Sequence, residues 1–137
     1  MGRILCFDYG AKRVGVAVTD EERIISTPLD TFEKAEIFSF IDYYISSNRV
    51  DLFLVGMPTN LRGHQTDSTG ITFKFIEKLK KKYKSINVET YDERFTSKIA
   101  KDSLIFLGKN KKYRGKKSNI DKVSASLILQ SYLQRNS

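Results

Sequence analysis

The sequence predicts an α/β protein built on one five-stranded mixed sheet, with helices on both faces. Its first third contains three short apolar runs joined by brief turns, a pattern typical of an antiparallel meander. Helical and strand patterns then alternate along the chain, which indicates parallel crossover units. Because such crossovers are right-handed, we expect the strand order 3-2-1-4-5.

The meander is predicted from three apolar segments. Residues 3–8 and 14–19 form the first two strands, joined by a turn at 10–13. A second turn at 21–23 leads to a third strand at 24–27. The short connections favour antiparallel pairing of all three strands.

The first crossover begins with an amphipathic helix, indicated by apolar residues with the spacing i, i+3, i+4, i+7 and i+8. These residues are Ile37, Phe40, Ile41, Tyr44 and Ile45. Residues 51–57 are then apolar without alternation, which predicts a fourth strand buried on both faces.

The second crossover has a helix whose apolar side is predicted to contain Phe73, Ile76, Leu79 and Tyr83, followed by a strand at 86–91. A third helix is expected around 99–107 and a basic loop at 109–119. The last helix is expected to have Ser118 or Asn119 as its N-cap.

The composition restricts the class of protein. The 137 residues fit a single domain, 1–137, and 24 basic against 16 acidic residues give a net charge of +8, which favours a polyanionic partner but leaves the class of protein open. The longest apolar run is too short for a membrane helix and no signal-peptide core is present, so we expect a cytoplasmic protein that does not enter membranes. With only Cys6 and His64, any metal site must consist of oxygen ligands, which favours Mg²⁺ or Mn²⁺.

Carboxylates from three distant segments are candidates for such a site. Asp8 ends the first strand, Asp92 and Glu93 end the fifth, and Asp121 is expected in the first turn of the last helix. Ligands of open α/β sheets bind at the carboxyl edge of the strands, where these residues would meet. Clustered carboxylates need a compensating cation, and metals held in this way suit phosphoryl transfer.

Each carboxylate also has a simpler interpretation. Asp121 could interact only with the dipole of its helix, and Asp92 or Glu93 could pair with Arg94. Asp8 is harder to explain without a ligand, because a lone carboxylate at the end of a central strand needs a partner.

Basic residues near these carboxylates are candidates for binding phosphate. Lys12 and Arg13 lie in a turn between Gly10 and Gly15, which suits phosphate contact but also an ordinary hairpin turn. Arg94 could reach the scissile phosphate or only neutralise its acidic neighbours. The basic loop could hold a nucleic-acid backbone or be a solvated segment. Its candidates are Lys109, Lys111, Lys112, Arg114, Lys116 and Lys117.

Four segments resemble the bacterial YqgF family, also called RuvX. They are DYGAKRVGVAVTD at 8–20, VGMPTN at 55–60 followed by Gly63, DERFTS at 92–97 and IDKVSASLILQ at 120–130. The resemblance covers nearly the whole chain and implies an RNase H-like fold. It implies that Asp8, Glu93 and Asp121 are the metal-binding catalytic carboxylates, with Asp92 as a helper. The implied cofactor is Mg²⁺ or Mn²⁺.

The resemblance leaves the substrate open. The family is associated with maturation of the 5′ end of 16S rRNA, which implies a nuclease acting on pre-16S rRNA. Some members resolve Holliday junctions, and a resolvase acting on branched DNA predicts a two-fold homodimer. A nucleic-acid-binding module without catalysis is the third alternative, and the presence of all three carboxylates argues against it. Two positions depart from the family pattern: Arg62 replaces a common acidic residue, and Ser124 replaces an alanine.

Overall fold

The structure, a computed structural model, describes residues 2–10, 12–57, 67–92 and 117–135. In the segments 67–69 and 117–122 it describes the backbone alone. None of the helices in these ranges is long and apolar enough to span a membrane.

The described elements follow the predicted order. They are β1 (Arg3–Tyr9), β2 (Arg13–Thr19), β3 (Ser26–Glu33), a 3-10 turn (Lys34–Glu36), α1 (Ile37–Ser47), β4 (Val50–Met57), α2 (Asp67–Lys82), β5 (Asn87–Asp92) and α3 (Lys117–Arg135). The sheet order is β3-β2-β1-β4-β5, which confirms the predicted topology. β1 is antiparallel to β2 and parallel to β4, and β5 is parallel to β4. The predicted third helix around 99–107 lies outside the described residues.

Two apolar layers cover the two faces of the sheet. Alternate residues of β1, such as Leu5 and Phe7, pack with α1 and α2, and the intervening Ile4 and Cys6 pack against α3. Both layers are almost completely shielded from solvent. Alternation along the central strands therefore assigns each of their positions to the α1–α2 face or to the α3 face.

The third strand begins later than the sequence pattern predicts. Ile24 and Ile25 are 67% and 61% exposed, and β3 starts at Ser26. The cause is local, because Oδ1 of Asp20 accepts hydrogen bonds from the backbone N–H of Ile24 and of Ile25 at 2.8 and 2.9 Å. The same bonds hold the pKa of Asp20 below its usual value. This turn uses the backbone donors that a strand would need.

Two helices also differ from their predicted pattern. In α2 the ring of Phe73 is 44% exposed, whereas Phe75 is buried and stacks on Tyr9 with a centroid distance of 4.3 Å. Helix α3 begins at Lys117, before the predicted caps Ser118 and Asn119. Part of the predicted basic loop is therefore helical, and Asp121 lies in the second turn of α3 rather than the first.

Polar contacts attach helix α3 to β3 and β5, the two edge strands of the sheet. The Ser26 hydroxyl on β3 donates a hydrogen bond to the backbone oxygen of Ser126 at 2.8 Å. On the other side, the hydroxyls of Tyr91 and Ser131 lie 2.7 Å apart. These contacts fix how α3 crosses the sheet, and therefore how it presents its N-terminal half.

Candidate active site

Asp8 lies at the carboxyl end of β1, in the middle of the sheet. It is half-buried and is paired across the antiparallel ladder with Gly15. Ile4 and Cys6 contact the α3 layer, so alternation places Asp8 on that same face. The carboxylate therefore lies on the face that α3 covers, at the edge where the sequence places the candidate site.

Glycines flank Asp8 on both neighbouring strands. Phe7 pairs with Val55, so the next position of β4, Gly56, lies beside Asp8 on the side opposite Gly15. Gly56 in turn pairs with Tyr91 of β5. Cβ atoms of paired residues are normally about 5 Å apart, so a glycine on each neighbouring strand places no side chain from its own position beside the carboxylate. Sequence analysis missed Gly56, although a glycine within the bulky apolar run of β4 was a usable signal.

Asp92 shares the edge with Asp8 but not the face. It pairs with Met57 at the end of β5. The preceding Tyr91 packs in the α3 layer, and Glu89 accepts a hydrogen bond from Tyr132 of α3. Alternation therefore points Asp92 toward the α2 side of the sheet. The predicted convergence at one edge holds for these two residues, but the register counts against Asp92 as a ligand beside Asp8.

Position 121 lies in the second turn of α3, where the structure describes the backbone alone. It precedes Ala125 by four residues and Ile128 by seven, and both of these side chains pack in the α3 layer. Residues with this spacing share one face of a helix.

The structure describes only part of the predicted constellation. Among the side chains that it describes, no three His, Cys, Asp or Glu residues group together as a metal site. Only Asp8 and Asp92 of the four predicted ligands belong to that set. The predicted residues Glu93, Arg94, Lys109, Lys111, Lys112, Arg114 and Lys116 lie outside the described residues, and Lys117 is described by its backbone alone.

The turn after Asp8 places basic residues at the same edge. The Gly10 N–H donates a hydrogen bond to the Arg13 backbone oxygen at 2.9 Å, which closes the turn. Lys12 is exposed and Arg13 is half-buried. Sequence analysis did not single out Lys34, whose Nζ lies 4.5 Å from the ring centroid of Tyr9. Lys34 could not be identified from the sequence, because β2 and β3 lie between it and the turn after β1 along the chain.

Comparison with known proteins identifies the family. The model of the RuvX family, described as Holliday junction resolvase, matches residues 2–135. A protein of Amoebophilus asiaticus named "Putative pre-16S rRNA nuclease" is 42% identical over 97% of this chain and 94% of its own length. The protein of the same name from Flavobacterium psychrophilum is 41% identical over 98% of both chains.

Solved structures show the same fold at low sequence identity. Thermus thermophilus RuvC in complex with a Holliday junction substrate superposes with a TM-score of 0.60, at 10% identity, over 98% of this chain and 95% of that chain. A second Thermus thermophilus RuvC structure gives a TM-score of 0.58 at 8% identity, over 98% and 96% of the two chains. The expected RNase H-like fold is thereby confirmed. By its match to the family model and its identity to these relatives over nearly the whole chain, the protein belongs to the RuvX family.

Proposed function

We propose that this protein is a metal-dependent endonuclease that hydrolyses phosphodiester bonds in the 5′-end processing of pre-16S rRNA in the cytoplasm. The names of its relatives support the substrate, and family membership supports the reaction class. The single structural observation behind the proposal is the position of Asp8. It is a carboxylate at the carboxyl edge of the central strand, with a glycine on each neighbouring strand.

The proposed metal ligands are Asp8, Glu93 and Asp121. Asp8 lies on the face of the sheet that α3 covers, and position 121 lies in α3, four residues before Ala125 of that layer. Glu93 is preferred to Asp92 because the register of β5 places Asp92 on the face opposite Asp8. Three carboxylates brought together at this edge would suit a divalent cation.

The donor set fits Mg²⁺ or Mn²⁺. All three proposed ligands offer carboxylate oxygens, which hard cations prefer, and the residues paired beside Asp8 are glycines, which add no side chain there. When bound, such an ion activates a water molecule and stabilises the charge that develops on the phosphate. The carboxylates would position the ion. Backbone pairing of β1 with β2 and with β4 holds Asp8 in place.

Basic residues around this edge are proposed to hold the nucleic-acid backbone. Lys12 lies in the turn after β1 and Arg13 begins β2 at the same edge, and both are proposed to contact a phosphate that approaches Asp8. The basic residues of segment 109–117, which ends at the first residue of α3, precede Asp121 in the chain and are proposed to extend this contact. They are Lys109, Lys111, Lys112, Arg114, Lys116 and Lys117, together with Arg94 after Glu93.

A cleavage assay with two substrates tests the proposal. The purified protein is incubated with a 16S precursor 5′-leader RNA and with a four-way DNA junction, with and without Mg²⁺ or Mn²⁺. Asp8→Asn is compared with Asp30→Asn, an equal charge change at an exposed position on β3. We expect metal-dependent RNA cleavage that is lost in Asp8→Asn, retained in Asp30→Asn, and not accompanied by loss of RNA binding. Metal-dependent cleavage that survives in Asp8→Asn would refute the proposed site.

The resolvase function is the second candidate, because the matching family model is described as Holliday junction resolvase. A resolvase cuts two strands symmetrically and therefore requires a two-fold dimer on the junction. Cleavage of the junction alone, by a protein that is dimeric in light scattering, would favour this function over rRNA processing. Binding of both substrates without cleavage of either would favour a module without catalysis.

A further inference from the structure

The outer side of α2 is strongly basic from Lys74 to the end of the helix. Lysines occur at positions 74, 78, 80, 81 and 82 of the helix and again at 84, and all are exposed. Glu77 is the acidic residue among them. Lysines in the last turn are favoured by the helix dipole, but Lys74 and Lys78 precede that turn. Pairs at i, i+4 such as Lys74 and Lys78 repel each other, a cost that a bound polyanion would relieve.

Three of these lysines border a groove between α1 and α2. The groove has a volume of about 460 Å³ and is lined by Phe38, Lys78, Lys81 and Lys82. The half-buried ring of Phe38 forms its apolar floor and packs against Phe75 at a centroid distance of 5.8 Å. The lysine stems add apolar walls while their charged ends remain at the rim.

One wall of the groove is fixed by a polar network. Lys82 forms a 2.9 Å ion pair with Asp42 of α1, and its Nζ lies 5.3 Å from the Phe38 ring centroid. The Tyr83 hydroxyl donates a second hydrogen bond to Asp42 at 2.7 Å. This hydrogen bond, followed by that from Lys82, keeps the pKa of Asp42 below its usual value. Asp42 thus compensates Lys82, and Lys78 and Lys81 remain to bind an anion.

Ring contacts link the floor of the groove to the end of β1, because Phe38 packs against Phe75. Phe75 stacks on Tyr9, the residue directly after Asp8, and Lys74 precedes Phe75 in the helix. Lys74, Lys78 and Lys81 lie on one stripe and span about 10 Å at 1.5 Å per residue. A strand that crosses the carboxyl edge of the sheet would therefore meet this stripe on the α2 side.

We infer that the α1–α2 groove binds a single-stranded segment of nucleic acid, with a base against Phe38 and its phosphates on Lys78 and Lys81. An aromatic floor with a cationic rim is the arrangement by which proteins bind single strands without sequence preference. The inference deepens the proposed function, on which it rests, because it assigns the groove to an unpaired flank of the substrate.

The test uses binding without cleavage. A fluorescein-labelled single-stranded RNA is titrated into the protein in EDTA at several salt concentrations. The variant Lys78→Gln/Lys81→Gln is compared with Lys80→Gln/Lys84→Gln, an equal charge change on the other flank of α2, where Lys80 and Lys84 border a separate pocket beside β5. We expect the first variant alone to bind several-fold more weakly. Its slope of log affinity against log salt should fall by about 1.4, at about 0.7 per lost phosphate contact.

A second comparison tests the stacking contact. Phe38→Leu should weaken binding of the RNA several-fold but leave binding of an abasic strand of the same length unchanged, at a melting temperature that shows a folded protein. Equal effects of the two lysine variants would overturn the inference. Equal affinity of the wild-type protein for intact and abasic strands would do the same, since a groove selective only for charge could equally take an acidic peptide.

Different results would refute the nuclease function and the binding of nucleic acid in the groove. The binding assay contains no metal, so absence of cleavage activity leaves its result unaffected and would count against the nuclease function alone. Metal-dependent cleavage together with unchanged binding by Lys78→Gln/Lys81→Gln would instead confirm the nuclease and refute the groove.

Discussion

The hydroxyl groups of Tyr91 and Ser131 lie 2.7 Å apart in the interface between β5 and α3. Both residues are nearly inaccessible, with 8% and 4% of their surface exposed. Tyr91 is also the next residue in the row that contains Gly15, Asp8 and Gly56. The bond thus connects the strand that leads to Glu93 with the helix that contains Asp121.

Removing either hydroxyl should destabilise the fold. We expect Tyr91→Phe and Ser131→Ala each to lower the free energy of unfolding by about 1 kcal/mol, because each variant removes this buried hydrogen bond. Denaturant titration of both variants and of the double variant measures the coupling. Tyr132→Phe is the control, since its hydroxyl contacts Glu89 at 3.3 Å on the surface and its loss should cost less. Strictly additive effects at 91 and 131 would contradict a direct bond.

The carboxylate of Asp51 should make stability depend on acid pH. Its pKa is lowered from 3.8, first by the hydrogen bond from the Gly2 N–H at 2.7 Å and then by that from Arg49 at 3.1 Å. A pKa lowered by folding gives stability that is present above pH 3.8 and is lost as the pH falls through the folded-state value. We expect Asp51→Asn to be less stable than wild type at pH 6 and to approach it near pH 2. A stability difference independent of pH would contradict this assignment.

The order of the sheet could be predicted because it follows from chain-wide regularities. Short connections impose an antiparallel meander, and right-handed crossovers then leave one arrangement in which β1 lies between β2 and β4. The start of β3 could not be predicted from apolar character, because the Asp20 side chain takes the N–H groups of Ile24 and Ile25. The burial of Phe75 in place of the predicted Phe73 could not be predicted either, since it depends on where Tyr9 offers a stacking partner.

The sequence predicts the edge of the sheet at which the candidate site lies, but not the face of the sheet on which each carboxylate lies. Strand ends reveal that Asp8 and Asp92 share an edge, because parallel strands end together. Their faces depend on register, and the pairing of Met57 with Asp92 is a tertiary fact. A one-residue shift in register would have exchanged the two faces.

A methyl group at Gly56 should impair the site without unfolding the protein. Gly56→Ala places a Cβ in the row between Asp8 and Tyr91, in space proposed for the metal ion. We expect Mn²⁺ to raise the melting temperature of the wild-type protein but not that of Gly56→Ala, and we expect Gly56→Ala to lose cleavage. Gly70→Ala is the matched control, because a Cβ at that exposed helical position meets no atom within 4 Å. An Mn²⁺-induced rise that persists in Gly56→Ala would place the ion elsewhere.

Neutralising the two adjacent acids at the end of β5 should have unequal effects. Asp92 belongs to the α2 side of the sheet, opposite Asp8, and Glu93 is the proposed ligand. We therefore expect Glu93→Gln to reduce cleavage by at least about 100-fold, the scale on which removal of a charged catalytic group acts, and Asp92→Asn to reduce it far less. Single-turnover rates at saturating Mg²⁺ measure both. A larger loss in Asp92→Asn would reverse the assignment.

The basic segment 109–117 should contribute to binding of the substrate rather than to the chemical step. Neutralising Lys111, Lys112, Lys116 and Lys117 together removes cations that are proposed to contact phosphate, while the proposed carboxylates remain. We expect weaker binding of the precursor RNA and a flatter salt dependence, because fewer counterions are released, with little change in the single-turnover rate at saturating protein. Titrations between low and moderate salt give the slope, and quenched-flow cleavage gives the rate. An unchanged slope would show that the segment does not contact phosphate, and a fall in the saturated rate at constant affinity would assign it to the chemical step instead.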